Sequence, residues 1–199
     1  MVISVTSVLA SLLTEVGRVT KVLTRQEYFF SIIEAMLDAN EEIIGCITGR
    51  PPSGDEVGMT RHIADAIERM TKKGVIVRYL LPKFPDRLRV GVQYAKAGAE
   101  VLFSSCLAVH NLRYIVVDGK TAVLGMPERS GEEEATREGY TLPSEGLAEI
   151  LKDHFESCDE KSSLTDYLQE VMVQTGATLD HLAREFHLNR KDLDILLPS

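Results

Sequence analysis

Residues 111–127 read NLRYIVVDGKTAVLGMP, and this stretch decides how the rest of the chain is interpreted. Two apolar runs, Leu112 to Val117 and Thr121 to Leu124, are rich in the β-branched residues that favour strands. Asp118-Gly119 joins them, and an Asp-Gly pair is a strong signal for a tight hairpin because its turn positions require positive φ angles. The stretch therefore predicts an antiparallel β-hairpin.

Strands and helices alternate on the amino-terminal side of this hairpin. Apolar or alternating runs predict strands at 18–23, 43–47, 75–81 and 101–103. Amphipathic segments predict helices at 3–15, at 24–39, from Thr60 to about 72, and at 88–97. Thr24 and Glu27 have the spacing of a capping box, and Thr60 is predicted to cap the next helix. Such alternation indicates an α/β fold with a parallel sheet, helices on both faces and the hairpin at its end.

Helical patterns dominate the carboxyl-terminal side of the hairpin. After an acidic loop at 132–134, Ser144 is predicted to cap a helix that ends near Cys158. The remaining residues predict three short helices at 163–175, 178–186 and 190–196. Their leucine and alanine spacing would close a small apolar core. The chain is therefore divided into an α/β domain, residues 1–158, and a small helical tail, residues 160–199.

Part of this tail, TLDHLAREFHLNRKDL (178–193), has the pattern of a helix-turn-helix. The turn falls at Leu188-Asn189, so Asn189, Arg190 and Lys191 would open a recognition helix and contact DNA. Charge argues against this interpretation, because residues 160–199 hold four basic and seven acidic side chains, a net charge of −3. The other interpretation is a small helical bundle for dimerisation or partner docking.

Composition narrows the function classes further. The chain has 199 residues, a net charge of −8 and no tryptophan, which disfavours a broad phosphate-neutralising surface and a base-stacking platform. No apolar run is long enough to cross a membrane, and three widely spaced cysteines indicate free thiols in a reducing cytoplasm. The histidines are scattered and the sequence has no Cys-x-x-Cys pair, so we predict no metal site and no cofactor.

Aligned on Asp118, the hairpin resembles the H-x-K-x4-D motif of the phospholipase D superfamily. The resemblance implies a site in which a histidine attacks phosphorus, a lysine holds phosphate oxygens and the aspartate orients the groups. Here Asn111 stands at the histidine position, Arg113 at the lysine position, and Met126 replaces the serine that follows Gly125. An Asn amide nitrogen is neither a nucleophile nor a base, so we predict that the chain is not an enzyme. Arg113 can still hold an anion through two hydrogen bonds.

His110 offers the one alternative route to catalysis. Side chains alternate along a strand, so His110 and Arg113 would point to opposite faces of a regular strand. A β-bulge would be needed to bring His110 into line. With such a bulge the chain would be a phosphodiesterase or nuclease whose site forms between two copies.

The degenerate motif and the order of elements over residues 16–158 resemble the effector domain of archaeal TrmB-like transcription regulators. The resemblance implies a phospholipase-D-like mixed sheet flanked by helices, acting as a non-catalytic, ligand-sensing homodimer with a small anionic or sugar-like effector. In that family a winged helix precedes the domain, and we expect this chain to lack it. A similar inactive fold binds phosphoinositides in some proteins, so a non-enzymatic scaffold or membrane-associated module is the alternative, although the composition makes membrane contact unexpected.

The predicted ligand site combines this motif with the end of the strand at 43–47. Asn111, Arg113 and Asp118 come from the hairpin. Arg50 lies in the loop after the strand, and Thr60 opens the next helix, whose free amides could receive an anion. Ligands of open α/β sheets usually bind at this edge. The alternative for the loop is an ordinary solvated connection.

Overall fold

A computed structural model describes residues 19–47, 56–106, 109, 112–126 and 138–196. Its strands are β1 (Thr20–Val22), β2 (Glu42–Cys46), β3 (Ile76–Pro82), β4 (Glu100–Ser104), β5 (Arg113–Val117), β6 (Thr121–Met126), β7 (Glu138–Pro143) and β8 (Ser162–Ser163). Its α-helices are α1 (Arg25–Leu37), α2 (Glu56–Lys72), α3 (Leu88–Lys96), α4 (Glu145–Ser157), α5 (Leu164–Thr175), α6 (Leu179–Glu185) and α7 (Arg190–Leu196). A 3-10 turn, Pro85–Arg87, leads into α3.

All of these strands form one mixed sheet in the order β1-β7-β6-β5-β2-β3-β4-β8. Only β2, β3 and β4 run parallel to one another, and every other neighbouring pair is antiparallel. The mixed α/β fold with helices around a central sheet is thus confirmed. The predicted hairpin is also confirmed, since β5 pairs with β6 and both Asp118 (φ 50°) and Gly119 (φ 63°) adopt left-handed backbone angles in the turn.

Two apolar clusters cover the two faces of the sheet, and side-chain alternation assigns each strand residue to one of them. On β5, Ile115 and Val117 belong to the larger cluster, which packs against α1, α2 and α3. Tyr114 and Val116 belong to the smaller cluster, which packs against α4. The capping box of Thr24 and Glu27 at the start of α1 is present, as is the predicted cap Ser144 of α4, and Thr178 caps α6.

One local prediction was wrong. Helix α2 begins at Glu56, so Thr60 is not its N-cap but a buried residue within the helix. Thr60 precedes an apolar periodic run, which is the usual position of an N-cap, but here its side chain faces the core. Strand β7 was not predicted, because its glycine and proline disfavour strands. Gly139 is nevertheless required there, since a Cβ at this position would overlap the ring of Tyr28.

The helical tail continues the core of the α/β unit. Its first residues pair as β8 with the edge strand β4, and Leu164, Leu168 and Leu193 belong to the larger apolar cluster. Helix α7 lies against α3, where Lys96 and Asp192 form an ion pair of 2.9 Å. The sequence pattern changes from alternating strands and helices to helices alone near residue 159, but the apolar core continues across this position. No helix within the described ranges has the length and apolarity that a membrane span requires.

The predicted helix at 3–15 and the acidic loop at 132–134 lie outside the described residues.

Candidate functional site

Arg113 begins β5 and lies at the carboxyl end of the parallel strands. Strand β5 is antiparallel to β2, and Tyr114 pairs with Cys46, the last residue of β2. Alternation along β5 directs Arg113 to the same face as Ile115, which is the face that α1, α2 and α3 cover. Arg113 therefore lies at the edge where ligands of open α/β sheets usually bind.

A small cavity of about 50 Å³ opens at this edge, large enough for a few water molecules. Two arginines line it, Arg113 from β5 and Arg87 from the 3-10 turn before α3. Arg87 is only 2% exposed. Three residues that carry hydroxyl groups also line the cavity, namely Thr60, Tyr28 and Tyr94. The cavity thus combines two guanidinium groups with hydroxyl donors in a largely apolar wall.

The hydroxyl of Tyr28 is the unusual group of this lining. The side chain is fully buried, and its oxygen has no hydrogen-bond partner among the residues that the structure describes. A buried hydroxyl without a partner costs free energy, so such groups are rare in folded proteins. A bound ligand that accepted its proton would remove that cost.

Both arginines act on the tyrosines of the cavity. Burial raises the pKa of Tyr28, and the positive charge of Arg113 opposes that rise. Burial likewise raises the pKa of Tyr94, and both Arg87 and Arg113 oppose it. The hydroxyls therefore stay protonated at neutral pH and can only donate one hydrogen bond each to an anion.

The cavity can bind an anion but offers little for acid–base chemistry. Among the described residues that line it, none is a histidine or a carboxylate. Cys46 also contributes to the lining, but its side chain belongs to the apolar cluster on the opposite face of the sheet, where burial raises the pKa of the thiol. The described part of the lining therefore supplies hydrogen-bond donors but no general base.

Asp118 does not join this cavity. It lies at the other end of β5, about 16 Å from Arg113 at the usual rise per strand residue. Its carboxylate accepts hydrogen bonds from the backbone amides of Asn40, Glu41 and Glu42, at 2.9, 2.9 and 3.0 Å. Burial disfavours its charge, but the three amides outweigh burial and keep the pKa of Asp118 below its ordinary value. The aspartate of the motif thus fixes the hairpin turn to the start of β2.

The other predicted ligand residues divide into two groups. Thr60 lines the same cavity as Arg113, although from inside α2 rather than from a helix start. Asn111, His110 and Arg50 lie outside the described residues. Sequence reasoning missed Arg87 and Tyr28. Their positions carry no motif, and only the packing of α1 and α3 on one sheet face brings them to Arg113.

The predicted DNA-contacting residues open α7 as expected. The side-chain oxygen of Asn189 accepts a hydrogen bond from the amide of Lys191 at 3.1 Å. Arg190 forms an ion pair of 2.5 Å with Asp180 on α6. Because Leu193 is fully buried, one face of α7 packs on the body and the two basic residues lie on exposed positions.

Three potential metal ligands meet on the opposite face of the sheet. The ligand atoms of Cys106, His154 and Cys158 all lie within 4.8 Å of one another. They come from two distant parts of the chain, the residue stretch after β4 and the end of α4. This cluster was not apparent from the sequence.

Comparisons with known proteins show the fold alone. The chain is similar to TrmBL2, an archaeal chromatin protein with a novel mode of DNA binding, at 21% identity and a TM-score of 0.50, over 75% of this chain and 55% of that one. It is also similar to Nuc, a phospholipase D family member from Salmonella typhimurium (16% identity, TM-score 0.53, 73% of this chain and 97% of that one). NucT from Helicobacter pylori is a third similar structure (15% identity, TM-score 0.54, 71% of this chain and 97% of that one).

The chain therefore has a phospholipase-D-like fold, and it spans about half of TrmBL2 and nearly all of the other two structures. No family model and no curated protein matches the sequence.

Proposed function

We propose that this chain is a non-catalytic, ligand-sensing regulatory protein of the TrmB-like kind, and that its effector is a small anion bound between Arg87 and Arg113. A phosphate group, either free or at the end of a molecule that extends out of the cavity, has the chemistry that two guanidinium groups recognise. The observation that carries the proposal is the presence of both arginines and the buried Tyr28 hydroxyl in one small cavity at the carboxyl edge of the sheet.

Electrostatics supports an anionic rather than a neutral effector. Two arginines line one small cavity, and the attraction between a guanidinium group and an anion is stronger in a protein interior than in water. Guanidinium groups also donate paired hydrogen bonds that match the oxygens of phosphate or carboxylate.

The absence of catalysis is supported by the sequence of the motif. Asn111 stands at the position of the attacking histidine, and an amide cannot form a covalent phosphorus bond of the family type. The described lining of the cavity adds no base that could activate water. We therefore expect binding without turnover.

Ligand-dependent stabilisation tests the proposal. The full chain is titrated with inorganic phosphate, glycerol 3-phosphate and glucose 6-phosphate, with the neutral sugar maltose as comparison, and the melting temperature is followed. We expect stabilisation by at least one anion, because a ligand that binds only the folded state raises its stability. Arg113→Gln should abolish this shift. The matched control Arg89→Gln, an exposed arginine on α3, should retain it.

Either of two outcomes would contradict an anionic effector. Stabilisation by maltose but by none of the anions would indicate a sugar site. An anion effect that survives Arg113→Gln but disappears in Arg89→Gln would place the binding elsewhere.

A phosphodiesterase is the second candidate, because the similarity covers nearly all of the Nuc and NucT chains. It requires metal-independent cleavage of a phosphodiester that exceeds background and disappears in His110→Ala. We expect no such cleavage in the unmodified protein. Activity that depends on His110 would refute the non-catalytic proposal.

DNA contact is tested separately, because the description of TrmBL2 as DNA-binding comes from a protein only distantly similar in sequence. Binding by the tail would weaken steeply with salt and fall in the double variant Arg190→Gln/Lys191→Gln. Because the tail is acidic, we expect the parent protein and the double variant to show the same retention on DNA. Retention on DNA that depends on salt and on these two residues would add DNA binding to the proposed function.

We further propose that the regulator is a homodimer, because single-motif members of the superfamily pair two units about a twofold axis. Sedimentation of the full chain over a range of concentrations measures this directly. A monomer at all concentrations would contradict the homodimer and leave the effector proposal in place. A scaffold or membrane-associated module, the remaining alternative, predicts no anion-dependent stabilisation by soluble ligands.

A further inference from the structure

The cluster of Cys106, His154 and Cys158 lies on the face of the sheet opposite the arginine cavity. His154 belongs to the last turn of α4, and Cys158 is the C-cap of the same helix, four residues later. Residues at this spacing lie on one side of a helix. Cys106 approaches from the segment that follows β4, and the three ligand atoms lie within 4.8 Å of one another.

Contacts with Tyr114 fix the orientation of the His154 imidazole. The hydroxyl of Tyr114 contacts the carbonyl oxygen of Leu151 at 3.0 Å and Nδ1 of His154 at 2.7 Å. A carbonyl can only accept, so we assign the single hydroxyl proton to the contact with Leu151. With this assignment Nδ1 carries a proton and donates it to the Tyr114 oxygen.

This assignment leaves Nε2 of His154 as the nitrogen with the free lone pair. Nε2 is buried and has no hydrogen-bond partner among the described residues. A histidine that binds a metal characteristically donates its other ring N–H to a fixed acceptor, which sets the tautomer and the ring orientation. Tyr114 supplies that acceptor here.

The two cysteines are also held in place before any ligand binds. The fully buried hydroxyl of Ser104 accepts a hydrogen bond from the amide of Cys106 at 3.0 Å and donates one to the carbonyl of Asp159 at 3.0 Å. The same oxygen lies 3.5 Å from the sulfur of Cys158. Ser104 thus connects the two chain segments that carry the thiols.

We propose that Cys106, His154 and Cys158 form a binding site for a zinc-type divalent ion. Two sulfurs and one imidazole nitrogen are ligands that zinc prefers, and three protein ligands leave the fourth tetrahedral position to water. Each thiol releases its proton to solvent when its sulfur binds the ion. Two thiolates then balance the two charges of the ion, so the complex is neutral and suits a largely buried position. This inference is independent of the proposed effector.

Cobalt(II) spectroscopy of the full-length protein tests the site. The protein is freed of metal with a chelator, kept reduced with a phosphine, and titrated with Co²⁺, whose visible bands report tetrahedral geometry and whose near-ultraviolet bands report thiolate ligation. We expect one Co²⁺ per chain with both kinds of band, and displacement by Zn²⁺. Cys106→Ser and Cys158→Ser should each weaken binding strongly. Cys46→Ala, which removes the buried thiol outside the cluster, should retain the stoichiometry.

Tyr114→Phe separates a metal site from an ordinary polar cluster. It removes the acceptor for Nδ1–H without removing a ligand, so we expect unchanged stoichiometry and an affinity about 10- to 100-fold lower. Circular dichroism checks that each variant remains folded. Six-coordinate Co²⁺ spectra, or tetrahedral spectra that persist in both cysteine variants, would overturn the proposal. So would an equal loss of binding in Cys46→Ala. The reductant prevents a Cys106–Cys158 disulfide from mimicking a negative result.

Discussion

Replacing Tyr28 by Phe should stabilise this protein in the absence of effector. The substitution deletes one hydroxyl from a fully buried ring whose oxygen has no partner among the described residues. Mutational data place the cost of burying such an unpaired polar group at about 1–3 kcal/mol. The apolar contacts of the ring are unchanged. We therefore expect the free energy of unfolding of Tyr28→Phe to exceed that of the parent by about 1 kcal/mol or more.

Equilibrium urea unfolding measures this difference. The chain has no tryptophan, so far-ultraviolet circular dichroism is the suitable signal. The buffer should contain no phosphate and should include a chelator, so that neither proposed site is occupied. A change in the midpoint at constant slope indicates a change in stability alone.

Tyr114→Phe is the matched control, because the same chemical change at another buried tyrosine should have the opposite sign. The Tyr114 hydroxyl donates to Leu151 and accepts from His154. Its loss removes one hydrogen bond from each partner and should cost about 1–3 kcal/mol. The two variants together separate the effect of hydrogen bonding from that of ring packing.

Anion titration adds a functional prediction for the same variant. If the Tyr28 hydroxyl donates to the bound anion, then Tyr28→Phe should gain less stability from the effector than the parent does.

In the urea experiment, destabilisation of Tyr28→Phe by as much as Tyr114→Phe would refute the reasoning, because it would mean that the Tyr28 hydroxyl has a hydrogen-bond partner in the folded state.

Three further predictions concern the fold. Gly45→Ala should destabilise the protein by about 1–3 kcal/mol in urea unfolding, because the new methyl group would overlap the buried ring of Tyr79; an unchanged midpoint would show that the ring moves freely. Asp118 has a lowered folded pKa, so its contribution to stability is present above the unfolded pKa and is lost as pH falls through the lower folded value. Asp118→Asn should therefore lower the free energy of unfolding at pH 7, and this free energy should fall less steeply below about pH 4 than it does in the parent protein. An equally steep fall in the two proteins would contradict this reasoning. Leu193→Ala should lower the free energy of unfolding by about 2–5 kcal/mol and make α7 sensitive to limited proteolysis. Lys96→Ala, which removes the exposed ion pair with Asp192, should lower it by less than about 1 kcal/mol. Equal effects of the two variants would mean that charge rather than apolar packing holds the tail in place.

Local sequence patterns determined most of the secondary structure. The hairpin of β5 and β6, the capping box at Thr24 and the three tail helices all depend on residues a few positions apart. Their periods and turn residues are therefore visible without a structure. The stretch that resembles the phospholipase D motif is equally local, so roles for Asn111 and Arg113 could be predicted from that resemblance, and they stay predictions. The resemblance to the phospholipase D fold followed from these features and is confirmed.

Only the tertiary structure decided which side chains share a site. Periodicity shows which side of its own element a residue occupies, but it does not show which elements meet at one edge of a sheet. That depends on the strand order. Strand β5 lies next to β2, whereas β7 lies between β1 and β6. This order brings Arg87 and Tyr28 to Arg113, and it separates Asp118 from them by the length of a strand. It also joins Cys106 to the end of α4, because long-range packing, rather than spacing along the chain, determines these distances.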